Sequence, residues 1–219
     1  MSTSFDLSVT DALLSTTRAV RRRLDLSRPV ERDVILDCIR ISQQAPTGGN
    51  RQGWRWLVVT DAEKRAALAR LYEAGASTYF AAARQAIDAN DAQTQRVYAS
   101  AQWLVEHLAR VPVHVIPCLE GRLAGEISNV VAASLYGSIF PAVWSFQLAL
   151  RSRGLGSTLT TLHLFREQEA AKLLNIPDSV SQVALLPVAY TLGRTFKPAR
   201  RPPPEDITFW NGWGGASEA

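Results

Sequence analysis

Cysteine is scarce in this sequence, and neither cysteine has the spacing of a metal or redox motif. Among 219 residues the two cysteines are Cys38 and Cys118, which form no Cys-x-x-Cys pair. Each lies in an apolar run, which favours two reduced, buried thiols in a cytoplasmic protein over a disulfide. Because His107 and His163 have no Cys, Asp or Glu at ligand spacing, we predict no metal site.

A secretory leader and a separating linker are also missing. Residues 1–10 include Asp6 and have no basic stretch that leads into a long apolar core. We therefore expect the protein to stay in the cytoplasm. Since no internal repeat, low-complexity segment or long linker interrupts the chain, we expect a single domain over residues 1–219.

Charge is absent from one long segment, residues 127–150. The segment is long enough to span a bilayer, but its serine, asparagine, glutamine and proline residues suit a lipid-facing helix poorly. We expect a central helix that is buried on most sides, and no membrane partner.

The composition suits a compact protein. Hydrophobic residues make up 47% and charged residues 20% of the chain, which is enough to bury a sizeable core. The net charge of +4, from 24 Lys and Arg against 20 Asp and Glu, is too small an imbalance to indicate nucleic acid by itself.

Hydrophobic periodicity predicts alternating helices and strands. Strands are predicted at 54–60, 111–118, 157–162 and 183–191. A helix capped by Asp61 is expected to end at Gly75, and a later helix from Arg166 is expected to close at Asn175. This order of elements predicts an α/β or α+β sheet covered by helices.

Two positions in this pattern leave alternatives open. Residues 77–110, with Tyr79, Ile87 and Trp103 at helical spacing, predict two helices that could line a substrate entrance or cover a subunit. His114 lies inside the second predicted strand, where a hydrogen-bonded core histidine is favoured over a catalytic one.

Arginine is concentrated at the two ends of the chain. The N-terminal cluster contains Arg18, Arg21, Arg22 and Arg23, and the C-terminal cluster contains Arg194, Lys197, Arg200 and Arg201. Such crowding is self-repulsive unless an anion is present. A solvated basic edge and a phosphate clamp, in which guanidinium groups hold phosphate oxygens bidentately, are equally compatible with charge alone.

A polar loop precedes the first predicted strand. Pro46 cannot continue a helix, and Gly48 and Gly49 allow a sharp turn or a close approach to a ligand. Thr47, Asn50 and Gln52 add hydrogen-bond donors and acceptors. The loop has neither Walker nor Gly-x-Gly-x-x-Gly spacing, so spacing alone favours an ordinary helix-to-strand loop.

The last residues are apolar. Three prolines precede Phe209, Trp210 and Trp213, and rings of this kind are expected to dock on another part of the chain or on a partner subunit.

The order of these motifs resembles the nitroreductase family of flavin enzymes. Residues 18–21, Arg-Ala-Val-Arg, resemble the family's opening Arg-Ser-x-Arg signature, and residues 45–54 resemble its Ala-Pro-Ser-x-x-Asn-x-Gln-Pro-Trp motif. Residues 138–143 followed by 154–156 are similar to its core helix and flavin loop. Gly193 and Arg194 followed by Arg200 and Arg201 look like its closing phosphate clamp.

The resemblance implies an α+β fold with three layers, α/β/α, in which a central and mainly antiparallel sheet is built around a long core helix. It also implies a homodimer that holds FMN non-covalently at the subunit interface. Residues 193–219 would form a C-terminal extension that packs on the partner subunit.

The resemblance also assigns cofactor-binding roles. Arg18, Arg200 and Arg201 would meet the FMN phosphate, next to Ala19 and Val20 of the opening signature. Arg21 or Arg22 would serve the ribityl hydroxyls and the N1/O2 edge of the flavin. Residues of the polar loop would reach the flavin from the other subunit, namely Pro46, Thr47, Gly48, Gly49, Asn50 and Gln52. Leu159, Thr160 and Thr161 would lie near N5.

The implied reaction is hydride transfer from NAD(P)H through flavin N5 to an electron-poor small molecule, such as a nitroaromatic or quinone, with ping-pong kinetics. Because the cofactor carries the chemistry, we predict no catalytic acid or base. The alternative within the family is a different use of flavin, namely flavin fragmentation, dehalogenation of a substrate or flavin storage. A basic nucleic-acid-binding module is a rival from another class, but the arginines lack a recognisable motif and aromatic stacking partners.

Overall fold

The computed structural model describes residues 5–83, 91–122 and 125–214. Ile87, part of the predicted helical pattern, lies outside the described residues, as do the two ends of the predicted domain, 1–4 and 215–219. All elements given below belong to the described parts of the chain.

Five strands form one antiparallel sheet. They are β1 Trp54–Val59, β2 Val113–Glu120, β3 Leu155–Ser157, β4 Val180–Gln182 and β5 Leu186–Tyr190. The strand order is β1-β2-β5-β3, and β4 pairs with β2. Every pairing between two of these strands is antiparallel.

The helices cover both faces of this sheet. They are α1 Leu7–Thr16, α2 Arg32–Ser42, α3 Ala62–Ala83, α4 Ala92–His107, α5 Asn129–Ser152 and α6 Glu167–Leu174. The core residues of α2 and α5 share one apolar cluster, whereas those of α3, α4 and α6 share another. The predicted three-layer α/β/α fold with a mainly antiparallel sheet is therefore confirmed.

Strand β2 shows why helices cover both faces of the sheet. Val113, Val115 and Leu119 belong to the cluster with α2 and α5, whereas Ile116 and Cys118 belong to the cluster with α3, α4 and α6. Successive side chains of a strand point to opposite faces, and here both sets are apolar. A strand of this composition needs a helical layer on each side.

Several local predictions are confirmed. The Asp61 carboxylate accepts a hydrogen bond from the Lys64 N–H at 2.8 Å, as a helix cap should. Helix α6 ends at Asn175, which is left-handed with φ of 54°. Cys38 and Cys118 are free and buried, and burial raises the pKa of Cys38 to about 11 and that of Cys118 to about 12.

The predicted helix end at Gly75 is wrong, because α3 continues to Ala83. Gly75 serves a close contact instead: a Cβ at this position would collide with the backbone carbonyl oxygen of Leu162. The glycine lets a short 3-10 turn, Leu162–Arg166, pack against the middle of the helix.

The predicted strand at 157–162 is also wrong. Strand β3 is Leu155–Ser157, so it includes Gly156 from the segment 154–156 that resembles the family's flavin loop. A Cβ on Gly156 would lie 2.9 Å from the Val20 Cβ and 2.7 Å from a Thr191 methyl carbon. The glycine thus allows a close strand contact at a position where the local sequence is typical of a turn.

The predicted strand at 183–191 divides into β4 and β5. Gln182 pairs with Cys118, and Leu186 pairs with Val115. Three residues, 183–185, therefore lie opposite two residues of β2. One extra residue of this kind is a β-bulge, which bends the strand and interrupts its ladder.

Helix α5 is only partly buried, which corrects the expectation of burial on most sides. Its C-terminal half packs in the core through Ile139, Phe146 and Leu150, while Val130 and Tyr136 in its N-terminal half are exposed. By length and composition α5 could cross a membrane, but the packing of its C-terminal half on α2 and the sheet makes it a core helix of a folded domain.

Candidate functional site

A groove of about 970 Å³ lies between the end of α1, one face of α4 and the C-terminal segment. Five arginines line it: Arg18, Arg21, Arg96, Arg200 and Arg201. The described residues that line the groove include no aspartate or glutamate. Arginine side chains donate hydrogen bonds and stay protonated, so the groove presents donors and positive charge to whatever enters it.

The α4 wall of the groove is one helical face. Gln93, Arg96, Val97 and Ser100 all line the groove, and their separations of three and four residues place them on one side of a helix. Trp144 of α5 adds an exposed aromatic ring to the lining. The groove therefore combines cations with apolar surface.

The structure separates Arg21 from Arg22. Arg21 lines the groove and is half-buried, and its Nη1 donates to Ser100 Oγ at 3.3 Å. Burial lowers the pKa of Arg21, an effect that the nearby Tyr72 phenol opposes. Arg22 is exposed, is absent from the lining and donates to the Ala99 carbonyl at 3.3 Å. Arg21 is thus the arginine of this pair that faces the groove.

Of the C-terminal cluster, Arg200 and Arg201 line the groove and Arg194 and Lys197 do not. The chain before Arg200 is held by hydrogen bonds from two other arginines. Arg23 donates from Nε to the Leu192 carbonyl and from Nη1 to the Thr195 carbonyl, each at 2.8 Å. Arg151 donates to the Arg194 carbonyl at 3.0 Å. These bonds fix the position of residues 192–195, the part of the chain that leads to Arg200 and Arg201.

Phe196 completes this attachment. Two guanidinium groups contact its ring, with the carbon of Arg23 at 4.0 Å and that of Arg151 at 4.6 Å from the ring centre. We refer to Arg23, Arg151 and Phe196 as the tail anchor. Arg23 belongs to the N-terminal cluster, for which a basic edge or a phosphate clamp was expected, whereas no local signal marks Arg151 or Phe196.

Arg18 belongs to both arrangements. It lines the groove, and its Nη1 donates to the Lys197 carbonyl at 3.0 Å. Of the remaining signature residues, Ala19 lines the groove, whereas Val20 is buried behind it and uses its N–H to bind the Ser157 carbonyl at 2.8 Å.

The polar loop does not line this groove. It packs on the N-terminal half of α5, where the Gly48 N–H donates to Ser138 Oγ at 3.0 Å. Gly49, Asn50 and Gln52 have positive φ values of 59°, 53° and 49°. Asn50 and Gln52 are not glycines, so this backbone costs about 1–3 kcal/mol for each residue, and strain of this kind clusters at functional sites.

Leu159, Thr160 and Thr161 are also outside the lining of the groove. Thr160 is firmly held: its N–H and carbonyl both pair with Leu185, at 3.1 and 2.7 Å, and its hydroxyl is 3.0 Å from the Tyr72 hydroxyl. Its amide is therefore already occupied. Thr161, which is exposed and begins the 3-10 turn, has no acceptor for its N–H in the described parts of the chain.

The two buried histidines lie outside the groove. His114 Nε2 is 2.9 Å from the Leu108 carbonyl, which confirms a hydrogen-bonded core histidine. His163 has no hydrogen-bond partner on either ring nitrogen within the described residues. Burial lowers the pKa of both to about 4, so both are neutral at physiological pH.

The groove and fold can be compared with known proteins. The sequence model of the nitroreductase family matches residues 14–190. The chain belongs to the nitroreductase family. It is 28% identical over 177 residues to an iodotyrosine deiodinase from Thermotoga neapolitana, which covers 81% of this chain and 86% of that protein.

Solved structures show the same nitroreductase fold. An iodotyrosine deiodinase bound to FMN and 3-iodo-L-tyrosine superposes with a TM-score of 0.70 at 23% identity, covering 93% of this chain and 99% of that one. An FMN- and NADPH-dependent nitroreductase from sphigopyxis sp. strain HMH gives 0.67 at 19% identity, again covering 93% and 99%. A BluB-like flavoprotein from Clostridium difficile 630 gives 0.68 at 15% identity, covering 92% and 98%.

Proposed function

We propose that this nitroreductase-family protein binds FMN and passes hydride from NAD(P)H to an electron-poor acceptor, such as a nitroaromatic or a quinone. The observation that carries the proposal is the groove in which arginines from both ends of the chain meet, with no carboxylate among the described lining residues. Two structurally similar proteins are described by their names as FMN-bound or FMN-dependent.

The donors of the groove fit the phosphate end of FMN. A phosphate monoester carries about −1.5 to −2 charges at neutral pH and offers three acceptor oxygens. Arg18, Arg200 and Arg201 supply planar guanidinium forks that bind phosphate bidentately. The tail anchor keeps two of these three arginines in place without using their own side chains.

Arg21 suits a different part of the cofactor. It is the half-buried arginine of the groove wall, so its charge is screened less by water than an exposed charge would be. A cation in such a place stabilises negative charge that develops on a bound ring system. We assign Arg21, rather than Arg22, to the flavin ring edge.

FMN, when bound, supplies hydride acceptance from the nicotinamide and hydride donation to the second substrate. The chain contributes binding and orientation, and the donor leaves before the acceptor enters. Since the described residues that line the groove include no histidine, aspartate or glutamate, we assign no catalytic acid or base.

We further propose a homodimer. Exposed apolar side chains form one surface on α1 and the first half of α5, with Leu7, Val9, Val130, Val131 and Tyr136 among them. Leu14 and Trp144 are also exposed and line the groove, so the surface extends to the site. A second copy would bury this surface and bring its own polar loop, residues 46–52, to the partner's groove.

The C-terminal rings support the same assembly. Phe209, Trp210 and Trp213 remain exposed on the single chain, which favours the partner subunit over another part of the same chain, the two docking surfaces that were expected. We assign them, within the extension 193–219, to the partner's surface. Reduced, buried cysteines agree with a cytoplasmic protein, which is the location we propose.

Reductive dehalogenation is a second candidate, favoured by the deiodinase relative from Thermotoga neapolitana. In such a reaction two electrons and a proton convert a carbon–halogen bond into a carbon–hydrogen bond and release halide. The same groove and cofactor would serve, so substrates rather than cofactor binding separate the two candidates.

The test begins with flavin. The protein is titrated with FMN, and the flavin absorbance is then followed anaerobically after NADH or NADPH is added. Protein that gains no flavin spectrum would overturn the proposal, and flavin that neither nucleotide bleaches would overturn the NAD(P)H step. A panel of a nitroaromatic, a quinone and 3-iodo-L-tyrosine then distinguishes the acceptor classes. Sedimentation of a stable, flavin-loaded monomer would contradict the dimer.

A further inference from the structure

Arg96 is the groove arginine that the proposed cofactor leaves without a role. It lies on α4, not on the N- or C-terminal segments that carry Arg18, Arg21, Arg200 and Arg201. Its side chain forms no ion pair within the described residues. Its charge does reach Asp91, whose pKa it helps to lower, but that carboxylate caps α4 by accepting from the Gln93 and Thr94 N–H groups.

The charge of the groove points to a second anion. Five guanidinium groups line it without a carboxylate among the described lining residues. An FMN phosphate would neutralise about two of these charges, and negative charge on the flavin ring would neutralise about one more. The loaded groove would remain positive, and a positive cleft attracts and concentrates negatively charged ligands.

The surroundings of Arg96 indicate what kind of anion fits. Val97 follows it on the same helical face, and the exposed ring of Trp144 belongs to the same lining. Apolar and aromatic surface beside a guanidinium suits a planar ring with an acidic substituent, because the ring packs on the apolar side chains while the acid receives a charge-assisted hydrogen bond.

From this charge balance we infer that the electron acceptor is an aromatic anion, and that Arg96 binds its carboxylate. The inference rests on the proposed FMN-dependent function and specifies its substrate class. Arg96 acts as a specificity-determining residue: it selects the acceptor by charge and takes no part in hydride transfer.

The test compares two probes that differ in charge. Flavin-loaded protein is titrated with 4-nitrobenzoate and with the neutral 4-nitrobenzyl alcohol, and binding is followed by the change in flavin absorbance without any turnover. Arg96→Gln is compared with the native protein and with Arg70→Gln. Arg70 is an exposed arginine of α3 that does not line the groove, so this control removes the same charge elsewhere.

We expect Arg96→Gln to raise the Kd of 4-nitrobenzoate about fivefold to tenfold, because a charge-assisted hydrogen bond is lost at a partly solvated site. The Kd of the neutral probe and the Kd of FMN should change less than twofold. Arg70→Gln should leave all three values unchanged. In the native protein, added salt should weaken binding of the anionic probe more than binding of the neutral one.

The other results would each overturn the inference in a distinct way. Equal effects on both probes would show that Arg96 contributes packing but no charge recognition. Loss of FMN would assign Arg96 to the cofactor phosphate. If Arg96→Gln slows anaerobic bleaching by NADPH or NADH and leaves both probes unaffected, its anion is the donor's phosphate. Protein that never binds FMN would instead refute the proposed function, before the acceptor is tested.

Discussion

The protein uses arginine in two ways within a small region. In the tail anchor, Arg23 and Arg151 donate to backbone carbonyls of residues 192–195 and pack on Phe196. In the groove, Arg96 and Arg200 have no protein acceptor or ion-pair partner recorded in the described part of the chain. Similar charge thus serves attachment in one place and the proposed ligand binding in the other, and the difference lies in whether the protein supplies the acceptors.

Acid should have the largest effect on the free energy of unfolding. This effect should not come from the arginines of the groove or of the tail anchor, since both sets remain protonated. His114 and His163 have pKa values of about 4 in the folded protein against an ordinary 6.5. Because the folded state binds protons less readily, their stabilisation is complete above pH 6.5 and is lost as the pH falls towards 4. The loss is on the order of 3 kcal/mol for each histidine.

Urea unfolding at several pH values measures this loss. His163→Leu removes the buried ring whose nitrogens have no partner among the described residues, so it should make the decline in stability between pH 6.5 and 4 less steep. A decline of unchanged steepness in this variant would assign the acid sensitivity to other groups. Arg70→Ala serves as a surface control.

Removing a groove arginine should weaken FMN binding and leave the fold intact. Arg200→Ala removes a guanidinium that has no acceptor among the described residues, so we expect FMN binding to weaken by about 1.5–3 kcal/mol. The free energy of unfolding of the flavin-free protein should change by less than about 0.5 kcal/mol. FMN titration and urea unfolding give the two numbers, and unchanged FMN affinity would remove Arg200 from the site.

Removing an anchor arginine should reverse this pattern. Arg23→Met keeps an apolar stem but loses two hydrogen bonds and the contact with Phe196. We expect about 1–2 kcal/mol less stability. FMN binding should weaken less than in Arg200→Ala, because losing Arg23 affects the cofactor only through the position of the C-terminal segment. A larger loss of FMN binding than in Arg200→Ala would show that Arg23 contacts the cofactor and would break the distinction between the two sets.

The aromatic face of Phe196 should contribute the least. Phe196→Leu keeps an apolar side chain but removes the ring that both guanidinium groups face, so we expect a loss of about 0.5–1 kcal/mol. Phe196→Ala also removes packing and should lose more. Equal losses in urea unfolding would mean that apolar volume alone attaches the tail.

The general architecture follows from sequence patterns that act locally. The strand that became β2, the cap at Asp61 and the end of α6 at Asn175 depend on neighbours a few residues away, which is why they could be predicted. The glycines mark where this reasoning fails. Gly75 and Gly156 look like local stops, yet each accommodates a partner distant in sequence, Leu162 for the first and Val20 and Thr191 for the second.

The candidate site divides in the same way. The sequence indicated both arginine clusters, because crowded like charges are unfavourable without an anion. The resemblance to the family then assigned arginines of both clusters to one phosphate. It did not indicate Arg96, Trp144 or Arg151, since none carries a local signal and each matters only through what faces it. The choice between Arg21 and Arg22 likewise depended on which side chain the fold turned into the groove.

By itself, then, the sequence determined the composition of the layers and the family, and it indicated a candidate anion-binding surface. Tertiary structure decided which arginines share that surface and which donate their hydrogen bonds to backbone carbonyls. The reason is physical: secondary structure and charge density depend on near neighbours, whereas the acceptors of Arg23 and Arg151 lie 169 and 43 residues away along the chain. Only the packed fold brings such groups within hydrogen-bonding distance.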